Sequence, residues 1–291
     1  MQQDSVDNRY TIIKNIGQGS YGTVKLAISK KTGSQIAIKI IPLTEQNKTN
    51  VIQEILSLKK VSAPNCNVYV VCYYDSFVDP YTGSVVVEME YIEGPNIMIY
   101  THPARISGDL TLLYDTAKKF LIAMLNALKY IHSKNIIHND VKPGNIVVGK
   151  NKVPVLVDLG ISCIAQEAVN SICTTPYNKV IGDCCKEMSG TSLYIPPETM
   201  YKVRYPQSDL WSLGSTAYEI ITGNNIWSLD VTQFSPISLM GQVINRFNSG
   251  TLPNVLNTGD YQLDAVVNGF LKYDPSLRMS IDQALSILGV Q

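Results

Sequence analysis

The hydrophobic pattern of this chain changes once, near Gly94, and this change restricts the folds open to it. Before Gly94, residues 23–28 and 35–41 alternate or form short apolar runs of the length that β-strands have. After Gly94, residues 115–133 place apolar side chains three and four positions apart, which predicts an amphipathic helix. We therefore expect an α+β fold, in which a small β-rich lobe precedes a larger helical lobe.

The rest of the chain follows the same division. One helix is predicted inside the β-rich lobe, over residues 47–61, and further strands are predicted over 10–16, 68–74 and 84–91. The helical lobe is predicted to contain additional helices over residues 209–221, 237–247, 264–271 and 281–288. No internal repeat or low-complexity tract interrupts the pattern, so we expect one domain to fill the chain.

Composition excludes several classes of protein. The chain has 291 residues, enough to bury a core without disulfides or metal, and its 24 Lys and Arg balance 24 Asp and Glu. No overall charge therefore directs it to nucleic acid or to an anionic membrane. No apolar run reaches the ~18–20 residues of a membrane span, and the first residues lack a signal-peptide pattern. We expect a monomeric intracellular protein of the cytoplasm or nucleus, which for a viral protein means the host cell.

Six cysteines could in principle form disulfides or a metal site. They are Cys66, Cys72, Cys163, Cys173, Cys184 and Cys185. None belongs to a Cys-x-x-Cys pair, and the histidines lie far from them in sequence. The missing ligand spacing favours free, reduced thiols over a zinc site.

A glycine cluster, Gly17-Gln-Gly19-Ser-Tyr-Gly22-Thr-Val24, lies between two predicted strands. Dinucleotide-binding folds use the same spacing, but there the glycines open a helix. Here a strand pattern follows, which places the glycines in a hairpin turn whose backbone N–H groups could cover phosphates. An ordinary glycine-rich hairpin fits this motif equally well.

Lys39 lies within the apolar strand Ile36-Ala-Ile-Lys39. An unpaired buried ammonium is costly, so the lysine needs a partner, and Glu54 on the predicted helix is the candidate. An ion pair would orient the ammonium toward phosphate oxygens. The alternative is a strand lysine that reaches solvent and a solvated glutamate.

Two polar loops beside short apolar runs carry the clearest chemistry. They are His138-Asn-Asp140-Val-Lys142-Pro-Gly-Asn145 and Val155-Leu-Val-Asp158-Leu-Gly160. The runs 146–148 and 155–157 predict a small hairpin that fixes Asp140, Asn145 and Asp158 in tight loops. Carboxylate and amide oxygens at this spacing suit Mg²⁺, which takes few protein ligands and completes its shell with phosphate and water.

In this order, the motifs make the sequence resemble the eukaryotic-type protein kinases across residues 10–288. Three further segments are similar to the family: Gly190-Thr-Ser-Leu-Tyr-Ile-Pro-Pro-Glu198, Asp209-Leu-Trp-Ser-Leu-Gly214 and Asp274-Pro-Ser-Leu-Arg278. The resemblance implies a bilobal kinase fold, with an N-lobe of about 10–93 and a C-lobe of about 94–288. It also implies that Glu198 and Arg278 form a structural ion pair and that Asp209 holds the backbone of the catalytic loop.

The resemblance further implies a serine/threonine kinase that uses ATP and Mg²⁺ on protein substrates. Asp140 would orient the acceptor hydroxyl with Lys142 and Thr191, and Asn145 and Asp158 would hold the metal. Lys142, two residues after Asp140, is typical of Ser/Thr kinases. Adenine would bond the backbone of Glu90 and Ile92, with Met89 at the back of the pocket. Residues expected to contact or position ATP are Ile16, Gly17, Gln18, Gly19, Ser20, Tyr21, Gly22, Thr23, Val24, Ala37, Lys39, Glu54, Glu90, Ile92 and Val147.

The sequence departs from the family pattern at a few places. Asn139 precedes Asp140 where many regulated kinases carry an arginine that pairs with an activation-segment phosphate, and a neutral amide cannot form that contact. Leu159 and Pro196 are tolerated replacements. The activation segment, 158–198, is longer than typical. A catalytically silent pseudokinase that acts as a binding scaffold is the alternative function, although such proteins usually lose the lysine or an aspartate that this chain keeps. A small-molecule acceptor is a further option, which the segment before Glu198 disfavours.

Overall fold

Five antiparallel strands form one sheet in the first part of the protein. The computed structural model describes residues 4–18, 22–164 and 190–290. The strand order is β1-β2-β3-β5-β4, so Lys39 lies on a central strand, opposite Val24 on one side and Val87 on the other. A one-turn helix, α1 (Val6–Arg9), precedes the sheet. The strands are β1 (Tyr10–Gln18), β2 (Thr23–Ser29), β3 (Gln35–Pro42), β4 (Tyr73–Val78) and β5 (Ser84–Glu90).

Helix α2 (Lys48–Ser62) lies between β3 and β4 and packs against the sheet with Val51, Leu58 and Val61, all nearly inaccessible to solvent. The prediction of a helix here is confirmed. The predicted strand over 68–74 is misplaced, since the strand spans Tyr73–Val78. Residues 69–71 form no part of the five-stranded sheet. They are apolar because they contact Leu156 of the helical lobe, to which they also hydrogen-bond.

The helical lobe is built around α4 (Leu110–Ser133) and α5 (Pro206–Thr222). The apolar stripe of α4, which includes Phe120 and Leu128, is fully buried, and so is Trp211 on α5. Asp109 caps α4 by accepting a bond from the Leu112 N–H. The remaining helices are α3 (Ile97–Ser107), α6 (Pro236–Asn248), α7 (Tyr261–Phe270) and α8 (Ile281–Ile287).

Short strands position the polar loops of the helical lobe. They are β6 (Ile136–Ile137), β7 (Ile146–Val148), β8 (Pro154–Leu156) and β9 (Cys163–Ile164). β7 pairs with β8 as the predicted hairpin, and β6 pairs with β9. Together with the five-stranded sheet and the larger helical part, these elements confirm the α+β bilobal kinase fold.

The β7–β8 hairpin forms main-chain hydrogen bonds with the N-lobe on one side and with the chain between β5 and α3 on the other. On one side, the Val71 N–H donates to the Leu156 carbonyl at 3.0 Å and the Leu156 N–H to the Tyr69 carbonyl at 2.8 Å. On the other, the Val148 N–H donates to the Pro95 carbonyl at 2.9 Å. Gly94 passes so close to this hairpin that a Cβ there would lie 1.8 Å from the Val148 oxygen. Only glycine fits this position without moving the chain that connects β5 to α3.

The expectation of free thiols is wrong for three cysteines. Cys66 and Cys72 are joined by a disulfide, and Cys163 is also disulfide-bonded. The turn between α2 and β4 brings the Cα atoms of Cys66 and Cys72 within 5.4 Å, a separation that a disulfide spans. Two cysteines six residues apart match no recognised spacing for a disulfide or a metal site, so the sequence did not predict this bond. Cys173, Cys184 and Cys185 lie outside the described residues.

Within the described part of the chain, no helix is both long enough and apolar enough to cross a bilayer.

Candidate active site

Lys39 lies at the centre of a buried charge cluster between the sheet and α2. Its ammonium is 2.5 Å from Glu54 Oε1 and 3.0 Å from Asp158 Oδ1. Lys39 is 4 % exposed and Glu54 only 2 %, so neither reaches bulk solvent. The structure thus confirms the predicted pairing of Lys39 with Glu54 and excludes the alternative of a solvated glutamate.

The cluster shifts the pKa of each member. Burial alone lowers the pKa of Lys39, but the carboxylates of Glu54 and Asp158 outweigh it and raise the pKa above the ordinary value. Burial raises the pKa of Asp158, but Lys39 lowers that pKa by more, so the net shift is downward. Burial raises the pKa of Glu54, and Lys39 offsets only part of that effect. Lys39 and Asp158 are therefore both held in their charged forms.

Asp140, Lys142 and Thr191 form a closed triangle of polar contacts. Lys142 Nζ lies 2.7 Å from Asp140 Oδ2 and donates to Thr191 Oγ1 at 2.7 Å. The Thr191 hydroxyl donates to Asp140 Oδ1 at 2.9 Å. The three residues come from a loop after β6 and from the segment that begins at Gly190, so the contacts join two parts of the chain that are far apart in sequence.

The loop that carries Asp140 is anchored from beneath by Asp209 on α5. Both Asp209 oxygens accept main-chain bonds, from the His138 N–H and the Asn139 N–H, each at 2.9 Å. His132 Nε2 lies 2.8 Å from Asp209 Oδ2. Asp209 is fully buried, so these bonds satisfy its carboxylate. The family resemblance implied this role for Asp209, but nothing in the sequence pointed to His132.

Asn145 and Asp158 each keep one side-chain oxygen atom available to ligate a metal ion. The Asn145 amide nitrogen donates to the Asp140 carbonyl and to Asp140 Oδ2, both at 2.9 Å, which leaves its carbonyl oxygen free of bonds to the described residues. Asp158 has a left-handed backbone, φ 62°, and uses only Oδ1 for Lys39 and for the Gly160 N–H. One amide oxygen and one carboxylate oxygen fit the small protein share of a phosphate-bound Mg²⁺. No cluster of three or more His, Cys, Asp or Glu side chains suited to a metal occurs in the described residues.

The residues predicted to contact adenine come from both lobes. Ala37 and Met89 are buried in the five-stranded sheet, and Val147 on β7 is partly exposed. The main-chain groups of Ile92 form no hydrogen bond with the described residues, and Glu90 donates its N–H to the Cys72 carbonyl. A ligand would therefore not have to displace any bond of Ile92 to the described residues.

The strands around the glycine cluster form a hairpin, as predicted. Gln18 pairs with Thr23, and the Thr23 hydroxyl donates to the Gln18 side chain at 3.0 Å. At Gly22 a Cβ would lie 2.4 Å from the Ile40 carbonyl, so a side chain is excluded. Ile16, Gly17 and Val24 lie on the same two strands. Gly19, Ser20 and Tyr21 lie outside the described residues.

The predicted structural pair is also present. Arg278 donates two parallel bonds of 2.7 Å to the Glu198 carboxylate, and both residues are buried. The same guanidinium donates to the carbonyls of Gln207 and Lys272, at 2.9 and 2.8 Å. This bidentate geometry fixes the end of the segment that begins at Gly190 against α5 and the chain's C-terminal part.

Asn139 makes contacts that sequence reasoning did not predict. Its amide nitrogen donates to the Ile161 carbonyl at 3.1 Å and to Cys163 Sγ at 3.2 Å. The sequence identified Asn139 only as a departure from the family pattern. No spacing rule states which main-chain group an asparagine amide will reach.

Comparison with known proteins agrees with this geometry. The family model for the protein kinase domain matches residues 10–287. The chain is 30% identical to the DNA damage response protein kinase DUN1 of Saccharomyces cerevisiae, over 96% of the chain and 54% of that protein. It is 32% identical to the serine/threonine-protein kinase PAK 1 of mouse, over 74% of the chain and 35% of that protein. With human serine/threonine-protein kinase Nek5 the identity is 29%, over 79% of the chain and 32% of that protein.

The chain thus spans about half or less of the length of these relatives. The family model, in contrast, covers nearly all of the chain. A match of that extent, on a bilobal fold with a buried lysine–glutamate pair at its centre, shows that the chain belongs to the protein kinase family.

Proposed function

We propose that this chain is an active kinase that transfers the γ-phosphoryl group of ATP to serine and threonine hydroxyls of proteins. The observation that carries the proposal is the triangle of Asp140, Lys142 and Thr191. It holds a carboxylate in a fixed direction beside the metal-donor oxygens of Asn145 and Asp158. A scaffold that only bound partners would have no need of this arrangement.

Asp140 is the residue proposed to act on the acceptor. Its Oδ1 and Oδ2 are held by Thr191, Lys142 and Asn145, so the carboxylate cannot rotate away from an incoming hydroxyl. In this position it orients the hydroxyl and accepts its proton as the new oxygen–phosphorus bond forms. Lys142 offsets the negative charge that develops at the transferred group.

Lys39 is proposed to bind the α- and β-phosphates. Glu54 fixes the ammonium and leaves donor capacity on Nζ, since an ammonium has three N–H groups. The hairpin around Gly17 and Gly22 covers the phosphates, and the pocket under Ala37 and over Val147 takes the adenine. Asn145 and Asp158 would hold Mg²⁺, which when bound neutralises phosphate charge and aligns the leaving group. Since the reaction needs little covalent chemistry from the protein, alignment supplies most of the acceleration.

The serine/threonine preference is proposed from the same triangle. Lys142 and Thr191 occupy the space beside Asp140, which favours a short hydroxyl that approaches closely over the longer phenol of tyrosine. The names of the relatives, several of them serine/threonine kinases, support this choice.

The test uses purified protein, Mg²⁺, labelled ATP and a generic basic protein as acceptor, with Asp140→Asn as the matched variant. The wild type is expected to phosphorylate serine and threonine, as phosphoamino-acid analysis would report, and chelation of Mg²⁺ with EDTA is expected to stop the reaction. Asp140→Asn keeps the shape of the side chain but removes its charge. Its turnover should fall by about 10²–10⁴-fold, while Mg-ATP should still raise its melting temperature.

Three results would contradict the proposal. Full activity of Asp140→Asn would show that the mechanism is wrong, and a majority of phosphotyrosine would overturn the specificity. A wild type that binds Mg-ATP but transfers no phosphate would favour the scaffold function.

A further inference from the structure

The Cys66–Cys72 disulfide closes a loop, residues 66–72, that lies against the helical lobe. Loop 66–72 follows α2, and β4 begins directly after it. Within the loop, the Val71 N–H donates to the Leu156 carbonyl at 3.0 Å, and the Tyr69 carbonyl accepts from the Leu156 N–H at 2.8 Å. Both main-chain bonds between the loop and β8 therefore come from inside the ring that the disulfide closes.

Loop 66–72 connects the elements that carry the proposed phosphate and metal groups. α2, which carries Glu54, ends shortly before Cys66. On the other side of the contact, Leu156 ends β8, and the chain then runs directly into Asp158. Glu54 and Asp158 lie 2.5 and 3.0 Å from the Lys39 ammonium. A movement of α2 relative to β8 would therefore separate the two carboxylates that Lys39 joins.

Hydrogen bonds at the end of the loop join it to the sheet and to α2. The Cys72 carbonyl accepts from the N–H of Glu90, the last residue of β5, at 2.8 Å. The Tyr73 N–H donates to Ser62 Oγ at 2.8 Å, which bonds the start of β4 to the end of α2. The loop is thus placed where α2, β5 and β8 meet.

The disulfide ties an exposed start of the loop to a buried end. Cys66 is exposed and Val68 is 71% exposed, whereas Val70, Val71 and Cys72 are buried. The exposed residues contribute little packing that could hold the loop in place. A disulfide stabilises mainly by restricting the conformations of the open chain. Without it, loop 66–72 should leave β8 more often, as weakly packed segments do.

The exposure of Cys66 gives a reductant access to the disulfide. One thiolate of a dithiol attacks the sulfur of Cys66, the bond to Cys72 breaks, and Cys72 leaves as a thiolate that takes up a proton. The second thiolate attacks the mixed disulfide and releases Cys66, so two thiols form and the dithiol becomes a disulfide. Peroxide reverses this: it takes two electrons from the two thiols, the disulfide forms again, and two molecules of water are produced.

We propose that Cys66 and Cys72 form a site of reversible thiol–disulfide exchange, and that closure of their bond holds loop 66–72 on β8 and raises the kinase activity. The proposal rests on the proposed kinase activity. A disulfide is kept or lost according to the reductants around the protein, so the activity follows the redox conditions.

The first test compares oxidised and dithiothreitol-reduced wild type, without any substitution. Alkylation and mass spectrometry report which cysteines are free in each form. Opening the Cys66–Cys72 bond is expected to lower kcat about three- to tenfold, the effect of losing one ordinary hydrogen bond. Peroxide should restore kcat once the dithiol is removed. Hydrogen exchange at the Val71 and Leu156 amides should be at least about threefold faster in the reduced form.

A variant separates this disulfide from the one at Cys163, on which dithiothreitol can also act. Cys66→Ser/Cys72→Ser removes only the bond in the loop, so any effect at Cys163 is the same in both proteins. The wild type should respond to the dithiol about three- to tenfold more strongly than this variant. Val68→Ser is the matched control: it changes an exposed side chain, keeps the disulfide, and should respond as the wild type does. Melting temperatures establish that each variant is folded.

Each outcome decides for or against the proposal. Equal responses of wild type and the double-serine variant would refute the site, and so would free thiols at Cys66 and Cys72 after peroxide treatment. Faster exchange at Val71 and Leu156 with unchanged kcat would make the bond purely structural, which also overturns the proposal. If the oxidised wild type transfers no phosphate, the proposed function has failed, whereas the exchange measurement still decides whether the bond holds the loop on β8.

Discussion

Lys39 shows how a charged residue becomes compatible with the interior of a sheet. An ammonium at 4 % exposure is stabilised only because two carboxylates lie within 3.0 Å of it. The arrangement is valuable for orientation more than for stability, since a well-packed apolar side chain could fill the same space at similar free energy. Removing only one member of the cluster, however, leaves charge without a partner.

Lys39→Met should therefore destabilise the fold as well as stop the chemistry. Without the ammonium, Glu54 stays buried beside Asp158, and a broken buried pair typically costs about 3–5 kcal/mol. Urea unfolding at pH 7 measures this loss. Adding Glu54→Gln to the variant should restore much of the stability but none of the phosphoryl transfer. If the double variant is no more stable than the single one, the unpaired charge is not the cause.

The same variant should show a distinctive pH dependence. Burial already raises the pKa of Glu54, and loss of Lys39 removes the main opposing influence. The folded variant then binds a proton at Glu54 more tightly than the unfolded chain does, so its stability falls as pH rises above the ordinary glutamate pKa. The stability difference from wild type is expected to be smaller at pH 5 than at pH 8. A difference that stays constant between these two values would contradict this account.

At the scale of single residues, the sequence predicted the partner of Lys39 but not the partners of Asn139. A buried ammonium demands a carboxylate, and the nearest amphipathic helix offered Glu54. An asparagine amide makes no comparable demand, because water, a main-chain carbonyl or a sulfur atom can each satisfy it. Only the fold decides between these acceptors.

At the scale of elements, the segment that begins at Gly190 matters because its threonine joins it to the catalytic loop. Thr191 accepts from Lys142 and donates to Asp140, so one hydroxyl connects a cation and a carboxylate. Hydrogen bonds to charged groups are among the stronger ones in proteins. The segment is thereby held beside Asp140, the residue proposed to act on the acceptor.

Thr191→Ala is expected to lower kcat by about ten- to a hundred-fold, because the bonds to both charged groups are lost. Thr191→Ser keeps the hydroxyl and should stay within about threefold of wild type. Steady-state kinetics with a peptide acceptor measures both. Thr222→Ala, which removes a hydroxyl bonded within α5, is the control and should have no effect on kcat. Equal losses in the serine and alanine variants would assign the effect to the methyl group instead.

Elements with a clear period were predicted well, and those without one were not. The stripe of α4 is long and regular, so its position followed from the spacing of Ala117, Phe120 and Leu121. Helix α3 gave no such signal, since it is short and has Pro103 inside it. The strand near residue 70 was misplaced because Val70 and Val71 are apolar through contact with Leu156 of the other lobe. Tertiary contacts of this kind select a short apolar run, which cannot be told from a strand in the sequence.

At the scale of the whole molecule, the Glu198–Arg278 pair fastens the end of the activation segment to the helical lobe. Arg278→Ala should lower the free energy of unfolding by about 3–5 kcal/mol, because Glu198 would remain buried and unpaired. Arg278→Lys should recover little, since one ammonium cannot reproduce the fork that contacts both oxygens. Chemical unfolding followed by tryptophan fluorescence is suitable, as Arg278 lies 5.3 Å from the Trp211 ring.

The control for this prediction is an exposed ion pair. Lys129 lies 2.7 Å from Asp282, but the two side chains are 57% and 78% exposed. Lys129→Ala should change stability by less than about 1 kcal/mol. If both substitutions had the same small effect, burial would not be what makes the Glu198–Arg278 pair important.

The contacts between the lobes have a consequence for how such a chain can diverge. The main-chain bonds of the β7–β8 hairpin join Tyr69 and Val71 to Leu156, and Pro95 to Val148, and these bonds use peptide groups alone. Peptide groups are the same in every amino acid, so an apolar side chain of similar volume can replace buried Val71, Val148 or Leu156 while the hydrogen bonds of the junction are kept. Two kinds of change are barred: a proline that deletes a donating N–H, and any side chain at Gly94. Sequence drift at this junction is therefore limited to apolar exchanges that leave the backbone unchanged.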